Sequence, residues 1–306
     1  MANTILVLGA NGLVGGQAAK AFAAAGWQVR KYRRGTDMAK AAQGADVIFN
    51  GLNPPNYHDW ANIIPAITRD VIAAGLASGA TVLQPGTVYV YGSQPGPWNA
   101  DTPQKPASRK GGIRVQMEAD FRAATKQGLR VIILRAGDFI DPEAPRSLWN
   151  MISLKYAGFG RIISLANRDT KRAYAYLPDL ARAFVALAER RAELPVFADI
   201  PFVGYTLTMQ EVADTLERLT GRRMKLMGYP WWLMRLTAPL WEMARELVEM
   251  RYLWRTSHGI DPQPLAKLLP DFHVTPLDDV LRAELAILAP KLLERQGITM
   301  STQTGR

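Results

Sequence analysis

The first sixteen residues constrain the chain most. Thr4-Ile5-Leu6-Val7-Leu8 is a β-branched and aliphatic run, and it enters Gly9-Ala10-Asn11-Gly12-Leu13-Val14-Gly15-Gly16, with an alanine-rich stretch after it to Ala25. That order predicts strand, tight turn and helix. Glycine at 9 admits a sharp turn, glycine at 12 lets a pyrophosphate approach the main chain, and glycine at 15 lets the helix pack close on the sheet. The free N–H groups at the helix start then face phosphate. The segment therefore predicts a dinucleotide site made by Gly9, Asn11, Gly12, Leu13, Val14 and Gly15, although a glycine turn between a buried strand and a helix can also serve packing alone.

A second strand is predicted over 28–32, after Gly26. In a dinucleotide fold an acidic residue just past this strand bonds the adenosine ribose 2′-hydroxyl. Arg33 and Arg34 stand there instead. A guanidinium fork suits a 2′-phosphate, so the expected cofactor is NADP(H). This also bears on the net charge of +10. Basic residues are otherwise spread along the chain, and no nucleic-acid partner is expected.

A chain of 306 residues, 48% of them hydrophobic, can build one large domain or a core with a smaller appended region. It has no cysteine, which excludes disulfides, thiolate nucleophiles and cysteine-held zinc. His58, His258 and His273 are scattered, so no metal site is expected. No basic-then-apolar leader precedes the first strand, and no apolar run reaches the ~20 residues of a membrane span. A cytoplasmic protein without a stable span is expected.

Residues 44–53 predict another strand ending in the small-residue turn Asn50-Gly51-Leu52-Asn53, and a helix follows over 59–77. Thr81-Val82-Leu83-Gln84 is the next strand, running into Pro85-Gly86-Thr87-Val88-Tyr89-Val90-Tyr91-Gly92. A polar loop, a helix over 108–126 and the apolar strand 130–135 complete this part, with Ala136-Gly137-Asp138-Phe139 at its end.

The Gly-x-x-Gly-x-x-Gly spacing at 9, 12 and 15, with Thr87 four residues before Tyr91-Gly92, resembles the extended and atypical short-chain dehydrogenase/reductases. The resemblance covers residues 3–220. It implies an α/β fold, a doubly wound parallel (Rossmann) sheet, with a small, mainly helical C-terminal substrate subdomain. Residues 1–165 would form the cofactor core, with segments at about 173–200 interleaved, and residues 200–306 the cap. It further implies that Asn50, Gly51, Leu52, Pro85 and Ala136 line the cofactor, that Asn53, Asp138 and Phe139 face substrate, and that the Thr87 hydroxyl holds the substrate oxygen.

The family's Tyr-x-x-x-Lys pair is absent. Setting Glu118 on the family's usual glutamate puts Lys110 on the tyrosine and Arg114 on the lysine. Lys110 through Glu118 is similar to the helix of isoflavone reductase-like enzymes, which implies that Lys110 moves the proton beside the cofactor. Tyr89 is a second candidate: in an extended segment it would share a face with Thr87. The expected function is an NADP(H)-dependent reductase passing hydride to a small or medium apolar carbonyl or enone. Two alternatives stand beside it: an epimerase/dehydratase-like enzyme on a nucleotide-linked substrate, and a non-catalytic NADP-sensing regulator.

Farther on, 172–179 predicts a strand and Asp179 a helix cap, 197–204 a strand, and 208–220 a capped helix. The aromatic stretch 229–254 repeats apolar residues at 233, 236, 240, 243, 244 and 247, at helical spacing. It fits a cap on the core, a homodimer contact, a lid over an apolar substrate or an interfacial membrane helix. Two more helices are predicted over 262–296, with His273 structural.

Overall fold

The computed structural model describes residues 2–54, 58–143 and 147–294. Strand β1 (Thr4–Leu8) leads into α1 (Leu13–Ala24), β2 (Gln28–Lys31), α2 (Met38–Ala42), β3 (Val47–Asn50), α3 (Trp60–Ser78) and β4 (Thr81–Thr87). Helix α4 (Arg109–Ala124) and β5 (Val131–Ala136) follow. All of β1 and β5 is buried, which is why both are almost unbroken Val, Ile and Leu runs rather than alternating ones. With β9 (Phe197–Pro201) these strands make one parallel sheet in the order β2-β1-β3-β4-β5-β9. The chain leaves β1 in opposite directions, to β2 on one side and β3 on the other. The crevice above the β1 and β3 ends is the switch point where such sheets bind ligands.

Helices cover both faces. Phe22 of α1 and Phe184 of α5 (Leu177–Glu189) fill one side, while Ile64 and Val71 of α3 and Phe121 of α4 fill the other. Each such side chain contributes about 1.5–3 kcal/mol of burial. The five residues of α2 are the whole helical content of the return from β2 to β3, so β2 is the sheet's outer edge.

A second layer sits over the carboxyl edge. The strands β6 (Asp138–Ile140), β7 (Arg161–Ser164), β8 (Arg172–Tyr176), β10 (Tyr205–Leu207) and β11 (Lys225–Gly228) form a three-stranded sheet, β10-β8-β6, and a parallel pair, β7 with β11. Helix α6 (Met209–Thr220) starts in a capping box between Thr208 and Glu211. Then come α7 (Trp231–Thr237), α8 (Glu242–Glu249), α9 (Gln263–Leu268), α10 (Leu277–Leu288) and α11 (Pro290–Glu294). Among the described residues no helix is long and apolar enough to cross a membrane.

Three local expectations change. Residues 197–204 hold β9 only through Pro201, because the chain turns at Gly204, whose position against the Tyr174 carbonyl leaves no room for a Cβ. The 229–254 stretch is not one helix: Pro239 lacks an N–H and interrupts it between α7 and α8. Asp179 does not cap α5, which begins at Leu177; its buried carboxylate instead accepts from the Thr275 N–H (2.7 Å) and hydroxyl (2.8 Å).

Candidate active site

The turn after β1 and the loop after β3 meet without side chains between them. Gly9 has φ +75°, and a Cβ there would stand 2.6 Å from the Gly51 carbonyl oxygen. A Cβ on Gly15 would collide with the Gly9 carbonyl, and one on Gly51 would stand 2.8 Å from the Leu8 carbonyl oxygen and 3.1 Å from the Gly15 Cα. Glycine is thus dictated by backbone contact at all three positions. Gly12 donates to the Gly9 carbonyl at 2.8 Å, and α1 starts at Leu13 with no side-chain cap. Its first N–H groups therefore remain for a ligand. Asn11 is exposed at the mouth, while Leu13 and Val14 pack inward against the core.

The neighbouring loop is held by a buried amide pair. Asn50 donates to Gln84 at 2.7 Å and accepts from the Leu52 N–H at 3.3 Å, while Gln84 also donates to the Pro85 carbonyl at 2.9 Å. Ala136 stands opposite Thr87 in the β4–β5 register. Past the end of β2, Arg33 and Arg34 are exposed and enter no ion pair among the described residues. These residues fit a dinucleotide: a side-chain-free cradle, a helix start, and two free guanidiniums on the adenosine side.

Thr87 ends β4 and caps a 3-10 turn over Val88–Tyr91, its hydroxyl accepting from the Tyr89 N–H at 3.2 Å. The hydroxyl proton is left for another acceptor. The same turn corrects the expectation for Tyr89: the segment is not extended past Thr87, so the alternation that would set both side chains on one face is lost. Tyr89 is half-buried and packs against two core clusters.

Lys110 is only 1% exposed and is tied to the cap. Its ammonium donates to Glu249 at 2.7 Å and also pairs with Glu246, both on α8. The Lys110 N–H adds a 3.2 Å bond to Glu249. Burial opposes the Glu249 charge, but the Lys110 bonds win and hold its carboxyl below the usual range. Arg114, one turn on, donates to Asn53 at 2.7 Å and lies over the Trp60 ring. Thus α4 spans from the loop after β3 to the cap, with Lys110 at the cap end.

Arg135, which a sequence reading passes over as a polar break in an apolar strand, braces this region. It bonds Glu118 through two nitrogens at 2.9 and 2.8 Å, pairs with Asp199, and donates to the Thr87 carbonyl at 2.8 Å. Asp138, beyond β5, pairs with the buried Arg172 at 2.7 Å, and Phe139 packs into the core. Arg172 in turn lies over Trp254. His258 stacks on Trp98, and burial, reinforced by Arg172, lowers its imidazole to about 3. It stays neutral. His58 meets Glu242 at the surface and His273 is exposed, so the histidines do not converge; no metal-holding group occurs among the described residues.

Trp254 is one wall of an open cavity of about 430 Å³ lined also by Trp231, Tyr229, Asn167 and the ends of β7 and β11. Three cations converge on it: Arg235, Arg251 and Arg255. None enters an ion pair among the described residues. Burial and then the two neighbouring guanidiniums push Arg251 below its ordinary value. Such a cluster, set beside tryptophan, has the chemistry to receive an anion. From the sequence these arginines look like ordinary charges between helix positions.

Residues 61–199 match the NAD dependent epimerase/dehydratase family. No curated protein matches the chain by sequence. Among solved structures, the UDP-glucuronic acid 4-epimerase from Bacillus cereus, in complex with UDP-glucuronic acid and NAD, is similar at TM-score 0.75 and 17% identity, over 93% of this chain and 98% of that one. MoeE5 in complex with UDP-glucose and NAD gives 0.73 and 16%, over 97% and 100%. TunA, an NAD-dependent NDP-hexosamine 5,6-dehydratase, gives 0.70 and 17%, over 96% and 98%. At these identities the shared property is the fold.

Proposed function

We propose that the chain is a nicotinamide-dinucleotide enzyme of the epimerase/dehydratase type, acting on a substrate that carries a phosphate or diphosphate, as a nucleotide-linked sugar does. The observation that carries this reading is the cavity that Arg235, Arg251 and Arg255 line together with Trp231 and Trp254. Three unpaired guanidiniums are a costly lining for an apolar carbonyl or enone, and this displaces the apolar-substrate reductase expected from the sequence. Contacts run from the cavity wall at Trp254 through Arg172 to Asp138, the first residue of β6 just past β5. The family match and the NAD and UDP-sugar complexes of similar fold support the same direction.

The glycine cradle holds the pyrophosphate, and Arg33 and Arg34 favour NADP(H) by clamping a 2′-phosphate. The bound nicotinamide supplies hydride exchange. Thr87, whose hydroxyl proton is uncommitted, holds a substrate oxygen as charge develops on it. Residues 200–306 form the substrate half. Lys110 stabilises the closed cap rather than moving a proton, because its ammonium is already shared between two carboxylates. The same latch favours a second reading, a dinucleotide-binding protein that performs no turnover.

Binding of UDP-glucose and UDP-glucuronic acid by calorimetry, with dinucleotide present, tests the substrate class. Measurable binding that falls at least tenfold in Arg251→Ala supports it, and loss of one charged hydrogen bond corresponds to about 1.5–3 kcal/mol. Equal binding by the variant refutes it. Change of the dinucleotide absorbance or isomerisation of the sugar separates the enzyme from the silent binder.

A further inference from the structure

The apolar repeat at 233, 236 and 240 predicts burial, yet these side chains are outside. On α7 the buried residues are Trp231 and Met234, whereas Trp232 and Leu236 are each 70% exposed. Leu240, just past α7, is 96% exposed, and Leu233 and Trp241 are also exposed. Trp232 and Leu236 stand one helical turn apart on the outer side of α7, and Leu240 projects from the turn that follows. A contiguous set of large apolar side chains on this scale marks an interaction surface.

We infer that this face docks the protein on an anionic phospholipid surface. Charge decides between the occupants. From Tyr229 to Trp241 there is no acidic residue, the charged group in that span is the exposed Arg235, and the adjoining exposed Glu242 is offset by Arg245 at 3.9 Å. Arg251 and Arg255 lie beside it around the same cavity rim, and the whole chain carries +10. A second copy seated on this face about a two-fold axis would set these arginines against their own mates, and the one adjoining carboxylate, Glu242, is already shared with Arg245. A sheet of lipid phosphates complements them instead, while tryptophan and leucine enter the headgroup boundary. The face is short and lies flat, since no helix here can span a bilayer. The inference shares these arginines with the proposed substrate cavity, but Trp232, Leu236 and Leu240 lie outside that cavity, so the two readings fail separately.

Flotation of the intact protein with phosphatidylcholine vesicles, and with phosphatidylcholine vesicles containing phosphatidylglycerol, tests it. The parent is expected to float with the anionic vesicles and much less with the neutral ones, and salt should weaken the association. A triple variant, Trp232→Ser, Leu236→Ser and Leu240→Ser, should lose at least tenfold in partitioning while its circular dichroism and NADPH titration stay those of the parent. A second variant, Trp232→Phe, should retain partitioning. Absence of flotation with anionic vesicles overturns the inference, as does a triple variant that floats like the parent. A dimer by light scattering that the triple variant converts to monomer also overturns it, because a second copy then covers the face.

Discussion

Replacing Lys110 with methionine separates a latch from a proton donor. The stem keeps its volume, so packing of α4 survives, but the ammonium leaves Glu246 and Glu249 behind. Glu246 has a nearly buried carboxylate and retains Arg109 and Arg245 at 3.5 Å, both largely exposed. Glu249 is partly open and loses the ammonium's bond and charge, the main cause of its depressed carboxyl, while keeping the bond from the backbone N–H of residue 110. Removing one partner of a buried ion pair costs about 3–5 kcal/mol. With Arg109 and Arg245 remaining, the low end applies, about 3 kcal/mol, or a fall in Tm of roughly 5 °C for a chain of this size. The sign with pH follows from Glu249. A carboxyl held low in the folded state adds stability above its unfolded value of about 4.3, and that stability drains as pH falls through the lower folded value. The parent should therefore lose part of its margin over the variant in acid. Differential scanning calorimetry at neutral and acidic pH reads this directly. Adding Glu246→Gln to Lys110→Met should recover part of the loss, since the two act as one unit. A Lys110→Met protein with unchanged Tm and abolished turnover of a sugar nucleotide would refute the latch and restore Lys110 as the acid or base.

The double variant Arg33→Ala, Arg34→Ala should weaken NADPH binding by about tenfold to a hundredfold while sparing NADH, as loss of one or two charged hydrogen bonds dictates; fluorescence titration checks it, and equal losses for both cofactors would exclude 2′-phosphate recognition. Gly51→Ala places a methyl 2.8 Å from the Leu8 carbonyl oxygen, which costs about 1–3 kcal/mol of overpacking and should prise open the cradle, so both Tm and dinucleotide affinity should fall. Glu284 lies wholly inside the second layer, where burial, partly offset by a hydrogen bond from Asn150, raises its carboxyl to about 8. The folded state then holds a proton that the unfolded state releases near about 4.3, so stability declines as pH climbs from about 5 to about 8. Glu284→Gln should flatten that slope in urea titrations and gain on the order of 2 kcal/mol at the alkaline end; an unchanged slope would mean Glu284 is charged in the fold.

Legibility in the sequence followed the range of the interaction. The β1 turn was readable because Gly9, Gly12 and Gly15 lie within seven consecutive residues of local geometry, and Gly51 joined them through the small-residue end of β3. The apolar run 131–134 announced a buried strand. Arg135 at its end was not readable, because its partners Glu118 and Asp199 are fixed only by the fold. The partners of Lys110 lie more than a hundred residues away on α8, so a lysine at a family's catalytic position carried no sign of being latched. Periodicity over 229–254 predicted a continuous stripe, yet Pro239 divided it and the first half faced outward. Pattern gave the spacing of apolar groups there, but which face finds a neighbour depends on what else the chain brings to it.

The shortened return from β2 to β3 has a bearing on how molecules of this protein meet one another. With no strand outside it, β2 offers one row of amides and carbonyls to any other chain. Along and just beyond that border stand Arg30, Lys31, Arg33 and Arg34, and Arg30 reaches across to the Gln43 carbonyl at 2.9 Å. Two sheets approaching border to border would press like charges together before a ladder of bonds could form. The arginines proposed to select a cofactor therefore also set like charges against the joining of two such borders, and neutralising them removes that barrier to association.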